Sequence, residues 1–107
     1  KPGTVDDSFA TAGQLSQAGI QPAITTDHGV TPLWLLPFFA AQCVREGMAE
    51  DEALRAITIY PARSMGVEER VGSIRPGKDA DIVVFNGHPF HYLTRATAVF
   101  INGERME

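Results

Sequence analysis

Residues 71–85 read Val-Gly-Ser-Ile-Arg-Pro-Gly-Lys-Asp-Ala-Asp-Ile-Val-Val-Phe, and here the grammar of the chain changes. Arg75-Pro76-Gly77-Lys78 is a turn, because proline presets one backbone angle and glycine accepts the conformations that close it. Residues 81–85 then form a run rich in β-branched side chains, the composition of a strand. Downstream, residues 98–101 (Ala-Val-Phe-Ile) read as a second strand. Asn102-Gly103, just before Glu104-Arg105-Met106, is the strongest short hairpin signal in the sequence. Residues 67–107 therefore predict a small β-structure of about two to four strands.

Upstream the pattern is helical with one strand. Asp6, Asp7 and Ser8 each qualify as a helix N-cap, and Phe9, Ala12, Leu15 and Ala18 follow at amphipathic spacing until Gly19 stops the helix. Residues 20–26 predict a short strand, with Pro22 near its start, where a missing N–H is best tolerated. That strand ends in Asp27-His28-Gly29. Thr31 predicts the cap, and Pro32 the first position, of a helix over 31–46, with a kink expected at Pro37. Glu50, Asp51 and Glu52 place negative charge in the first turn of another helix, whose expected buried face is Ala53, Leu54 and Ile57. Pro61 is expected to punctuate it, with 62–65 adding a short turn before Gly66. Helix, glycine, strand is an α/β cadence, so the fold class is α/β.

Composition narrows the function classes. The 107 residues are 44% hydrophobic and 21% charged, ordinary for a globular chain and too apolar for a disordered one. Nine Lys and Arg stand against 13 Asp and Glu, a formal net charge of -4. No nucleic-acid or anionic-membrane partner is expected from that balance. The apolar stretch 32–44 is too short to span a bilayer, and Pro37 and Gln42 interrupt it. The opening residues show no apolar h-region and no initiator methionine, so no signal peptide is expected, and truncation or processing is. The single cysteine, Cys43, sits among Phe38, Phe39, Ala40, Ala41 and Val44, where it is expected to be a buried apolar group.

Asp27 is the main functional clue. In α/β architectures the ligand site lies at the carboxyl ends of strands, whatever the reaction. An Asp there can accept a proton, ligate a metal, or simply cap the next helix. His28 can be a metal ligand, a proton shuttle or a structural histidine. A metal site needs three or four ligands as a rule, and this pair supplies two at most, on side chains that alternate in direction along a strand. His88 and His91 flank Pro89-Phe90 in a polar turn and are expected to be solvent-exposed loop residues. No phosphate loop, nucleophile elbow or dinucleotide fingerprint is present.

Three segments together carry a resemblance: Thr26-Asp27-His28; Glu52-Ala53-Leu54-Arg55-Ala56-Ile57-Thr58-Ile59-Tyr60-Pro61-Ala62-Arg63; and the stretch from Val71 quoted above. In that order they resemble the C-terminal part of the amidohydrolase superfamily, its imidazolonepropionase-like members above all. The resemblance implies the last strand and helices of a (β/α)8 metal-dependent hydrolase barrel over 1–66, and the C-terminal strands of a composite β-sandwich over 67–107. It implies that Asp27 contacts a divalent metal, zinc by expectation, and acts as general base on the attacking water. His28 is then expected beside the metal or facing substrate. A divalent cation makes bound water acidic and polarises the scissile carbonyl, and the carboxylate moves the proton.

The same resemblance gives Lys78 and Asp79 a packing role, and leaves Arg63 for an acid partner. The superfamily's other metal ligands, a first-strand His-x-His pair, a bridging lysine or acid and two mid-barrel histidines, are not in this sequence. The chain is accordingly expected to be part of a larger cytoplasmic amidohydrolase acting on a small amide or cyclic amide. Alone it is expected to be inactive, to bind no metal and to self-associate. The alternative is a noncatalytic binding or oligomerisation module derived from such an enzyme.

Overall fold

The computed structural model describes residues 5–24 and 36–106, with side chains described from residue 10 onward. Four helices come first: α1 (Val5–Gln17), α2 (Leu36–Arg45), α3 (Glu50–Ala56) and α4 (Ile59–Ser64). Three strands follow, β1 (Ile82–Phe85), β2 (Ala96–Ile101) and β3 (Glu104–Met106), in one antiparallel sheet of order β1-β2-β3. Helices and strands thus occupy separate stretches of an α/β chain.

The core is made of small side chains. Ala40, Ala53 and Ala56 are 0% exposed, and Cys43, Met48 and Tyr60 complete the cluster. Alanine at the contact lets α2 and α3 approach closely, and close packing is where dispersion contacts accumulate. Met48 reaches this core because α2 ends at a left-handed Gly47, and the Met48 N–H donates back to Cys43 O at 3.0 Å. Burying such a side chain contributes about 1.5–3 kcal/mol. Phe90, from the loop between β1 and β2, also packs against the cluster and brings the β half onto the helices.

Several expectations need correction. Asp6, Asp7 and Ser8 lie inside α1 and do not precede it. Residues 20–24 carry no strand: a strand needs a ladder partner, and among the described residues no neighbouring strand is offered to them. Leu54 is 40% exposed, because the face of α3 turned inward is Ala53 and Ala56. Pro61 does not end a helix but sits in the first turn of α4, where its missing N–H is not needed. The break falls at Thr58 instead, whose backbone is non-helical and whose Oγ1 donates to Leu54 O at 2.7 Å. The expected start of the second helix, at Thr31 and Pro32, lies outside the described residues.

The β half follows its local signals. β1 pairs β2 from Ile82 opposite Phe100, with an irregularity between Val84 and Phe85. Asn102 and Gly103 both have positive φ, 52° and 80°, as the tight turn between β2 and β3 demands. Asp81 Oδ1 accepts from the Asn102 N–H at 2.9 Å, and Ala80 O accepts from the Gly103 N–H at 3.0 Å. The 70–79 loop is fastened similarly: Arg70 Nη2 meets Asp79 Oδ2 at 2.8 Å, and Lys78 Nζ donates to Ser73 Oγ at 2.7 Å. Gly72, at φ +97°, lies so close to α4 that a Cβ there would stand 2.8 Å from the Ala62 Cβ.

Candidate functional site

Asp27 and His28, the residues to which the sequence assigns chemistry, lie outside the described residues, as does residue 25–26 of the expected strand. What the structure describes is the approach to them. After α1, the Ile20 N–H donates to Leu15 O at 3.0 Å and turns the chain toward α3 and α4. Gln21 Oε1 then accepts from Arg63 Nη1 at 3.2 Å. The Ile24 N–H donates to Ala56 O at 2.9 Å, while the Ile24 side chain packs on the core cluster.

Glu52 is the hub beneath this segment. Its carboxylate accepts the Tyr60 hydroxyl, at 3.0 Å from Oε1 and 2.9 Å from Oε2, and the Ser16 hydroxyl at 3.3 Å. Arg55 Nη1 adds 2.9 Å to Glu52 Oε2 and 3.1 Å to Asp51 Oδ2. One acid therefore gathers α1, α3 and α4. Burial, followed by the hydrogen bond and charge of Glu52, pushes the Tyr60 hydroxyl above its usual 10.0. The Arg55 hydrogen bond lowers Asp51, and Asp51 raises Arg55 in return. Among the described residues Arg63 meets Gln21, and its guanidinium lies 5.8 Å from the centre of the Tyr60 ring.

His88 is not the exposed loop residue its polar turn suggests. Its Nδ1 accepts from the Phe90 N–H at 3.1 Å, and its Nε2 lies 3.1 Å from Glu50 Oε1. The imidazole thus ties the 86–95 loop to the start of α3. His91 is exposed, with its ring 5.6 Å from that of His88. Among the described residues no three His, Cys, Asp or Glu side chains are placed to hold a metal ion. Cys43 is 2% exposed, and burial raises its thiol, as a core sulfur requires. An open apolar groove runs between α3, α4 and the 71–85 stretch, past Leu54, Met65, Ile74 and Val83. At its margin Asp79 and Asp81 are engaged by Arg70 and by the Asn102 N–H.

The described residues therefore form a platform that holds the segment leading to Asp27, and they contain no acid–base pair of their own around a ligand. Sequence reasoning missed Gln21 and the Glu52 hub, since no spacing rule links Gln21 to Arg63, 42 residues away.

The amidohydrolase family model matches residues 5–106. Imidazolonepropionase of Geobacillus kaustophilus strain HTA426 is 41% identical over 80 residues, 72% of this chain and 19% of that protein. Among solved structures, an amidohydrolase from Thermotoga maritima MSB8 superposes with a TM-score of 0.88 at 39% identity, over 92% of this chain and 26% of the other. A Xaa-Pro dipeptidase with methionine bound in its active site superposes with a TM-score of 0.78 at 27% identity, over 95% of this chain and 25% of the other. The chain spans about a fifth to a quarter of the length of these relatives.

Proposed function

Since the chain belongs to the amidohydrolase family, we propose that it serves a larger enzyme that hydrolyses a C–N bond of a small amide or cyclic amide, and that Asp27 is its catalytic contribution. The observation that carries this reading is the family match, which extends from residue 5 to residue 106 and so spans the Asp27-His28 segment. The names of the similar proteins, an imidazolonepropionase, an amidohydrolase and a dipeptidase, support the same bond class.

In this reading the Asp27 carboxylate takes a proton from the attacking water as the C–O bond forms. It returns that proton to the nitrogen as the C–N bond breaks, which gives a carboxylic acid and an amine, on one ring-opened molecule when the amide is cyclic. His28 stands beside it, toward metal or substrate. Amidohydrolases use a divalent metal, zinc by our proposal, which supplies an acidic water and a polarised carbonyl. In this reading its remaining ligands belong to the parent enzyme, and the chain alone is inactive.

Residues 1–66 are proposed as the end of the barrel, and 67–107 as part of a sandwich whose other strands cover the open sheet. The isolated chain self-associates in this reading, because Ile74, Leu93 and Tyr92, on the loops beside the sheet, are 81%, 74% and 92% exposed. No helix among the described residues is long and apolar enough to cross a membrane, and we place the enzyme in the cytoplasm.

The test is Asp27→Asn in the full-length enzyme. The expected outcome is a fall in kcat of about a thousandfold with the fold intact by circular dichroism. Wild-type turnover in that variant would end the assignment.

A further inference from the structure

Asn-Gly occurs twice in the chain, at 86–87 and at 102–103, and the two copies are held in opposite ways. All four residues are exposed. Glycine, with no Cβ, leaves its amide nitrogen open to the asparagine side chain before it. Once that nitrogen gives its proton to a solvent base, it can attack the asparagine Cγ. The new N–C bond closes a five-membered succinimide, and the side-chain nitrogen takes up a proton and departs as ammonia. Water then opens the ring at either carbonyl, which leaves an aspartyl or an isoaspartyl residue. Water is the only co-reactant consumed.

At Asn86 the attacked side chain is tied. Its Oδ1 accepts from the Arg95 N–H at 2.9 Å, and the Asn86 N–H donates to Arg95 O at 3.1 Å. Ring closure needs that side chain to leave Arg95. The space beside Gly87 is also taken, since a Cβ there would stand 2.9 Å from Thr94 Oγ1. Phe90, in the same loop, packs on the helical core and holds the loop down. At Asn102 the side chain makes no hydrogen bond among the described residues. An added Cβ on Gly103 would meet Ala80 Cβ only at 3.8 Å, an ordinary contact. Here the nitrogen is tied instead: the Gly103 N–H donates to Ala80 O at 3.0 Å, beside the Asn102 N–H on Asp81 Oδ1 at 2.9 Å. The turn leads into β3, three residues that are all exposed. A segment with so little buried surface opens locally at low cost.

We propose that Asn102 is a site of spontaneous deamidation whose rate is set by the Asp81 and Ala80 tethers, and that Asn86 is the protected copy. The reaction needs the turn to open, not the protein to unfold. Its product places a carboxylate on the residue whose N–H the Asp81 carboxylate accepts, so two like charges meet at one turn. The isoaspartyl form also adds a carbon to the backbone between Ile101 and Glu104, the pair that closes the β2–β3 register. A two-residue turn fixes that register, so a longer one loosens β3 from β2 and leaves the helical half as it was.

The experiment incubates the full-length protein in warm, mildly alkaline buffer, with and without urea, and follows both sites by mass spectrometry at the amide-to-acid mass shift. Cleavage after Lys78, Arg95 and Arg105 puts the sites on separate peptides, 79–95 and 96–105. Natively, Asn102 is expected to convert about tenfold faster than Asn86, with isoaspartate among its products, while in urea the two rates agree within about threefold. Asp81→Ala is expected to quicken Asn102 about threefold without changing Asn86, and Asp81→Asn, which keeps an acceptor oxygen, to stay near the wild-type rate. The native-to-urea comparison needs no variant, so a poorly folded Asp81→Ala leaves the test intact. Equal native rates, or Asn86 ahead, would overturn the proposal. So would an Asn102 that stays amidated natively while its urea-unfolded form converts, or an Asp81→Ala protein, folded by circular dichroism, that converts at the wild-type rate.

Discussion

Between residues 40 and 62 the helices bury alanine, cysteine, methionine and tyrosine to 6% exposure or less, whereas none of the residues in β1, β2 or β3 is buried. Both halves have an apolar supply. Val83, Val84, Phe85 and Ile101 are nonetheless 46%, 44%, 39% and 48% exposed. The helical half closes on itself through small residues and a polar hub. The sheet is defined by its turn, its register and the Asp81 tether, and its apolar side chains have no matching surface among the described residues. Pairing rules specify a sheet's shape, but only a covered face stabilises it.

The largest expected effect tests the self-closed half. Ala56 is 0% exposed and also supplies the carbonyl that Ile24 uses. Ala56→Leu should overpack the α2–α3 contact and cost about 3 kcal/mol in denaturant unfolding, the upper part of the range for such insertions. A cost under about 1 kcal/mol would mean that the helical core is looser than its exposures imply.

Next comes the seam between the halves. Gly72→Val would put a β-branched side chain at φ +97° and within 2.8 Å of the Ala62 Cβ. The expected loss is about 2 kcal/mol, read as a lower thermal midpoint. If the helical signal and the sheet's hydrogen-exchange protection fall together, the halves are coupled through this contact.

Tyr60 sharpens the comparison through pH. The folded chain holds the hydroxyl proton above the usual 10.0, because burial and then Glu52 disfavour the phenolate. The unfolded chain therefore loses that proton first. Stability from this group is complete below pH 10.0 and declines as pH rises through the folded value. Tyr60→Phe should flatten that alkaline decline in a series of urea melts, while Glu52 loses a donor at every pH. An unchanged alkaline slope would remove Tyr60 from the hub.

The smallest effect belongs to the sheet. Val84→Ala at 44% exposure should change stability by no more than about 0.5 kcal/mol. A cost above about 1 kcal/mol in the full-length protein would be informative in the other direction, since it would show that strands from elsewhere cover this face.

How much of this was legible beforehand follows from the range of each interaction. Asn102-Gly103 could be read because a tight turn is specified by the two residues in it, and Gly19, Gly47 and Gly66 marked helix ends for the same reason. Cys43 could be read as core from its apolar neighbours. Leu54 was misjudged because apolar periodicity does not say which of several apolar residues faces inward, and here the smaller ones do. The expected strand over 20–26 failed over its first five residues because a strand is a property of two segments, and its sequence describes only one. His88 was misjudged because its Glu50 partner lies far off in the chain. Of the candidate site, Asp27 was singled out from its place after a strand-like run and from the resemblance and lies outside the described residues, while the Arg63 to Gln21 link depends on side chains that only the folded backbone brings together.

The lone sulfur offers a built-in clock. Cys43 is the single thiol of the chain, 2% exposed, and burial keeps it from ionising readily. An alkylating reagent must wait for the α2–α3 contact to part before it can react. The rate at which this one atom takes up a label therefore counts how often the helical half breathes, without any engineered probe.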